Sequence, residues 1–150
     1  MHIFDSRNPY SVIFVLGITV IILLGGWFIG DASSRAVFVE EQVSLIKSNQ
    51  KIWDESEPAS YSYSIWYGCM LSDISNVKIT DGIKSFGEKE KGITIDDLFK
   101  VAPKIVSKAS SYQFKYNNNF GYPEHIKVDW NSETYDDECF YQVQDFSVSG

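Results

Sequence analysis

The chain has 150 residues, of which 44% are hydrophobic, 15% aromatic and 22% charged. That suits one globular domain plus a short appendage, and it is too aromatic for intrinsic disorder. Thirteen Lys and Arg against 20 Asp and Glu leave a net charge of −7, the wrong sign for gripping a phosphate backbone, while two His and two Cys are too few for a zinc finger or a multi-histidine metal site.

The first element is Val12–Gly30, a run with Thr19 as its one polar side chain and no charge. As a helix it spans about 28 Å, close to a bilayer core of about 30 Å. Val12, Leu16, Leu23 and Ile29 would face lipid, and Trp27 would sit at the interface. The run exceeds the usual apolar core of a signal peptide, and no Cys near it offers a lipobox. The expectation is a signal anchor in the bacterial inner membrane. It follows a cytoplasmic tail over 1–11 and leaves the rest of the chain in the periplasm, with the lipid bilayer as partner through residues 12–30. Small residues in Ala32-Ser33-Ser34 and Ser34-Arg35-Ala36 keep an alternative open: cleavage near Ser34 or Ala36 and release into the periplasm.

Residues 31–56 follow as a juxtamembrane amphipathic helix. Phe38, Leu45 and Ile52 recur every seven residues with Ile46 and Trp53 beside them, and Glu40, Glu41, Lys47 and Lys51 fill the other side. Packing on the domain explains this pattern, and a short coiled-coil contact is the alternative, with Gln42 and Asn49 interrupting its seam. Pro58 ends the helix and opens the domain over 57–150. Tyr61, Tyr63, Ile65, Tyr67 and Cys69 alternate as one face of a strand, which puts Trp66 on the opposite face. Asn76–Thr80 predicts a second strand with Val77 and Ile79 inward. Asp81-Gly82 is a hairpin signal, and Ile83–Phe86 a return strand.

Thr94–Ala109 predicts a second helix. Thr94 is a good N-cap, and Asp96 and Asp97 suit the positive helix end. Ile95, Leu98, Phe99, Ala102, Ile105, Val106 and Ala109 form one apolar stripe. Pro103 should kink or split it. Alternation at Tyr112, Phe114 and Tyr116, at Ile126, Val128 and Trp130, and at Cys139, Tyr141 and Val143 gives three more strands. The fold class is α+β: an N-terminal transmembrane helix, then an antiparallel sheet of about five strands with helices packed on one face.

Trp53, the Tyr-Ser-Tyr-Ser strand at Tyr61–Ser64, Cys69, the Val77–Gly82 run and the Thr94–Phe99 run fall in a telling order. Tyr116, Gly121–Pro123, Ile126, Asp129 and Asp136–Glu138 continue it. Over about residues 50–147 the chain resembles a bacterial family of unknown function, the one numbered 6174, whose members look like small envelope proteins with a signal or lipoprotein leader. A second Cys close after the first, usual in such members, is replaced here by Met70 and Leu71. The resemblance implies the fold and an extracytoplasmic location, and it brings no activity with it.

Cys69 and Cys139 both fall on inward strand faces. A disulfide fits if those strands are neighbours, and two buried free thiols are the alternative; without a C-x-x-C motif a redox-active pair is not indicated. Asp129, Asn131, Glu133, Asp136, Asp137 and Glu138 place oxygens at alternating positions, as a hard cation wants, but the EF-hand Gly and Glu are missing, so a solvated loop competes with a weak cation site. His125 is the one His outside the N-terminal tail, with no partner marked for catalysis. The tyrosines on strand faces read as a core rim, with an aromatic binding face as alternative. No catalytic residue, metal or cofactor is indicated. The expected role is a non-catalytic accessory or interaction subunit of an envelope complex with an envelope protein partner. A periplasmic small-ligand or cation-binding module is the alternative.

Overall fold

A computed structural model describes residues 9–134 and 137–149; at residues 9–12, 15 and 22–34 it describes the helix backbone alone. The element order is α1 (Pro9–Ser56), β1 (Tyr61–Gly68), β2 (Ser72–Thr80), β3 (Ile83–Ser85), α2 (Ile95–Lys108), β4 (Ser111–Tyr116), β5 (Pro123–Asp129) and β6 (Glu138–Val148). The chain divides into two compact units, residues 1–40 and residues 41–150.

In the first unit the described side chains of α1 from Ile13 to Ile21 are all exposed, Ile13 at 66% and Ile21 at 70% among them. At 100° per residue they cover every azimuth of the helix. Among the described residues no helix is long and apolar enough to cross a membrane. Of the expected anchor residues, Leu16 is exposed, while the side chains of Val12, Leu23, Trp27 and Ile29 lie outside the described residues, as does the cleavage position Ser34.

The second unit is an α+β domain. All six strands form one antiparallel sheet in the order β3-β2-β1-β6-β5-β4. Two three-stranded meanders, β1–β3 and β4–β6, lie side by side, joined along β1 and β6. The connection from β3 to β4 runs from one sheet edge to the other and contains α2. The Asp81-Gly82 turn holds both residues at positive φ, 49° and 79°, the geometry that matches the right-handed twist of a two-residue hairpin.

Several expectations shift. The sheet has six strands rather than about five. β2 begins at Ser72 and β6 runs to Val148: in β2 the inward positions Asp73 and Ser75 are polar while outward Ile74 is apolar, and in β6 a register shift at Asp145, with φ 55°, breaks the alternation. On α1 the buried residues are Ile46 and Trp53, while Leu45 and Ile52 stay 49% and 44% exposed. The seven-residue row read as a packing seam is therefore the neighbour of the real one, and larger Trp53 decides which row turns in. The second helix is not split at Pro103. Its stripe of Ile95, Leu98, Phe99, Ala102, Ile105 and Val106 is buried on both sides of the proline, so packing offsets the lost backbone bond.

The core lies on one face of the sheet. Trp53 sits edge-on to Tyr61 and Tyr122, both at 5.6 Å, and near Phe146 at 6.1 Å. The 117–121 turn presses on this end of α1. A Cβ on Gly121, at φ 75°, would come within 2.5 Å of the Asn49 carbonyl oxygen, so no other residue fits without movement. The start of α2 is tied down three ways. The Thr94 hydroxyl accepts from the Asp97 backbone N–H, the Asp97 carboxylate accepts from the Thr94 N–H, and the Tyr63 hydroxyl accepts from the Ile95 N–H at 3.2 Å. Burial raises the Tyr63 hydroxyl's pKa, so it stays protonated. Every helix contact named here falls on the face carrying Tyr61, Tyr63, Ile65, Val77, Ile79, Ile126 and Val128.

Candidate functional site

Because side chains alternate along a strand, the remaining residues of β1, β6, β5 and β4 share the opposite face. The register aligns them in rows. Trp66 lies opposite Gln142, Gln142 opposite His125, and His125 opposite Lys115. The next row is Gly68, Phe140, Lys127 and Gln113, and a third pairs Glu138 with Asp129 and Asp129 with Ser111. Apart from Gly68 and Lys115, these residues line an open groove of about 1090 Å³, bordered by Met70 on one side and Ser132 and Thr134 on the other.

The groove has an aromatic end and a polar end. Trp66 and Phe140 meet edge to face at 4.6 Å between ring centres, and Trp66 remains 39% exposed. Gly68 lets the Leu71 carbonyl and Ser72 backbone fold back against β1. Gln142, His125, Gln113 and Lys127 extend the floor, and among the described residues none of these four side chains has a hydrogen-bond or ion-pair partner. Burial, then the charges of Lys127 and Lys115, lower the pKa of His125, so the ring is held in its neutral form, offering one donor and one acceptor. Lys115 is engaged by Glu124 at 2.7 Å. Lys127 therefore brings an uncompensated positive charge to the groove of an acidic protein.

A disulfide joins Cys69 and Cys139 where the β1–β6 ladder ends, with 4.0 Å between the Cα atoms, and both cysteines border the groove. The Trp130 indole N–H donates to the Cys139 sulfur at 3.3 Å. The loop that followed from the oxygen-rich sequence is only partly gathered. Asp129 and Glu138 face each other across β5 and β6. The Asn131 side-chain oxygen is already taken by the Glu133 N–H at 3.1 Å, and its amide donates to Thr134 at 2.8 Å. One carboxylate oxygen each of Asp129 and Asp137 is buried without a hydrogen-bond partner among the described residues. Asp136 lies outside the described residues, and among those described no group of three or more His, Cys, Asp or Glu is close enough to hold a metal.

Tyr61, Tyr63, Tyr67, Tyr112, Tyr116 and Tyr141, read as a core rim with an aromatic binding face as the alternative, share the covered side of the sheet. Tyr61 and Tyr63 are buried, and Tyr67 stacks on Tyr141 at 6.4 Å. The open face instead uses Trp66 and Phe140. What sequence reading missed is the convergence of Phe140, Gln142, Gln113, His125 and Lys127. Their shared parity on three strands was a usable signal once the strand order was known.

A model of a family of unknown function, DUF6174, matches residues 45–148. The match spans both β-meanders, the end of α1 and α2. No curated protein and no solved structure gives a match.

Proposed function

The chain belongs to the DUF6174 family of unknown function, and we propose that it is a membrane-anchored extracytoplasmic accessory protein that docks on another envelope component through the open face of its sheet. The observation that carries this reading is the one-sided covering of the sheet, which leaves Trp66, Phe140 and a set of unpartnered polar side chains in one groove. Exposed aliphatic side chains all round α1 from Ile13 to Ile21 support a lipid-facing segment. A disulfide at the groove's border supports an oxidising compartment. Non-catalytic docking fits a neutral His125 that no described carboxylate or hydroxyl orients.

The test is a photo-crosslinker at Gln113 in full-length protein in its own membranes, with mass spectrometry of the product and of the chain's N-terminus. A specific adduct on an intact chain that resists carbonate extraction is expected. A trimmed chain in the soluble fraction, with no adduct, would overturn both the anchor and the docking. A second reading, a cation-binding module, rests on the orphaned oxygens of Asp129 and Asp137. It predicts a rise in melting temperature with millimolar calcium, removed by Asp129→Asn; an unchanged melting curve rejects it.

A further inference from the structure

The groove narrows the docking surface to a chemistry. Its aromatic end is the edge-to-face pair of Trp66 and Phe140, with Trp66 39% exposed. Next to it stand two primary amides, Gln142 and Gln113, and a neutral imidazole. Each presents a donor and an acceptor a short distance apart, which matches neighbouring hydroxyls on a sugar ring. The C–H face of such a ring packs on an indole, while its hydroxyls lie at the rim. Strands are about 4.8 Å apart, so the path from Trp66 over Phe140 to Lys127 and Gln113 crosses four strands, a length suited to two or more linked rings. Along that path lies the ammonium of Lys127, with no ion-pair partner among the described residues. Asp129 and Glu138 occupy the row next to Lys127 and would repel an anion placed beyond it, which confines an anionic group to the Lys127 ammonium and the Trp66 side of it.

We propose that the groove is a saccharide subsite for an oligosaccharide that carries a carboxylate: a ring on Trp66 and Phe140, hydroxyls on Gln142, His125 and Gln113, and the carboxylate on Lys127. This rests on the reading of the open face as the recognition surface. The experiment is a titration of full-length protein in detergent micelles, followed by saturation-transfer NMR. The probes are tetrasaccharides bearing uronate or ether-linked lactyl carboxylates, with neutral maltotetraose and chitotetraose beside them. An acidic tetrasaccharide should bind at least about tenfold more tightly than the neutral ones, which corresponds to about 1.4 kcal/mol. Lys127→Gln should abolish that preference, bringing acidic and neutral tetrasaccharides to within about threefold of each other, which corresponds to about 0.65 kcal/mol. Trp66→Ala should weaken every tetrasaccharide by at least about tenfold, with the melting temperature nearly unmoved, so that loss of binding is not loss of fold. Saturable binding that survives Trp66→Ala, or no saturable binding by any tetrasaccharide, overturns the subsite. If Gln113 still crosslinks to a protein when no saccharide binds, the subsite falls and the docking reading stands.

Discussion

The two faces of this sheet are made by the same strands, yet they solve the problem of polar groups differently. On the covered face several polar atoms have work to do in the fold. The Tyr61 hydroxyl donates to Glu57 at 2.5 Å, Tyr63 accepts from the start of α2, and the Ser75 hydroxyl donates to the Ile93 carbonyl at 3.0 Å. On the open face Gln113, Gln142, His125 and Lys127 sit beside two aromatic rings without such partners. Stability is therefore expected to reside on one face and recognition on the other.

The sharpest way to break this division is Trp53→Ala. It empties the junction of Tyr61, Tyr122 and Phe146 and should cost about 3–5 kcal/mol in urea unfolding. A loss below about 1 kcal/mol would mean that the covered face is not the stabilising one. Replacing both Cys69 and Cys139 with Ser removes a closure of 70 residues, and should cost about 2–4 kcal/mol by the same measurement. Thr94→Ala removes half of the capping box and should cost about 1 kcal/mol.

The same cap gives a pH dependence. Burial raises the Asp97 pKa, but hydrogen bonds from Lys100 and Thr94 overcome this and hold it below its ordinary 3.8. A carboxylate with a depressed folded value stabilises the fold above 3.8, and that contribution is lost as pH falls below it. Acid titration of Asp97→Asn should thus lack part of the wild-type decline below about pH 4. Tyr112 and Tyr116 are exceptions on the covered face: each hydroxyl is buried without a hydrogen-bond partner among the described residues, and burial pushes the pKa of Tyr116 up to about 12. Tyr116→Phe should therefore be neutral or stabilise by up to about 1 kcal/mol, and a clear destabilisation would reveal a hidden partner. Smallest of all, His125→Ala and Lys127→Gln on the open face should each move stability by less than about 0.5 kcal/mol.

Much of the covered face was legible. Val77, Ile79, Ile126 and Val128 alternate cleanly, and the stripe on α2 with its Thr94 cap reads directly from the sequence, because apolar burial imposes a period. The disulfide partners were legible as inward residues, conditional on neighbouring strands, and β1 and β6 are neighbours. The open face was not legible as a site. Its residues share no motif, and Trp66 joins the others only through the β1–β6 register, which pairs it with Gln142 in the last strand of the chain. The side of α1 that turns inward was misread for a related reason: Leu45 and Ile46 are equally apolar, and only packing of Trp53 against Tyr61 and Tyr122 separates them.

The strand order has a consequence in time. The two central strands are the first and the last to be made, β1 at Tyr61–Gly68 and β6 at Glu138–Val148. Until β6 arrives, β1 has a bare edge and the second meander lacks its inner strand. Closing the sheet must wait for contacts between distant parts of the chain, a slow step by its nature. While β6 is still to come, any machinery that threads unfolded polypeptide would meet a domain that cannot yet lock.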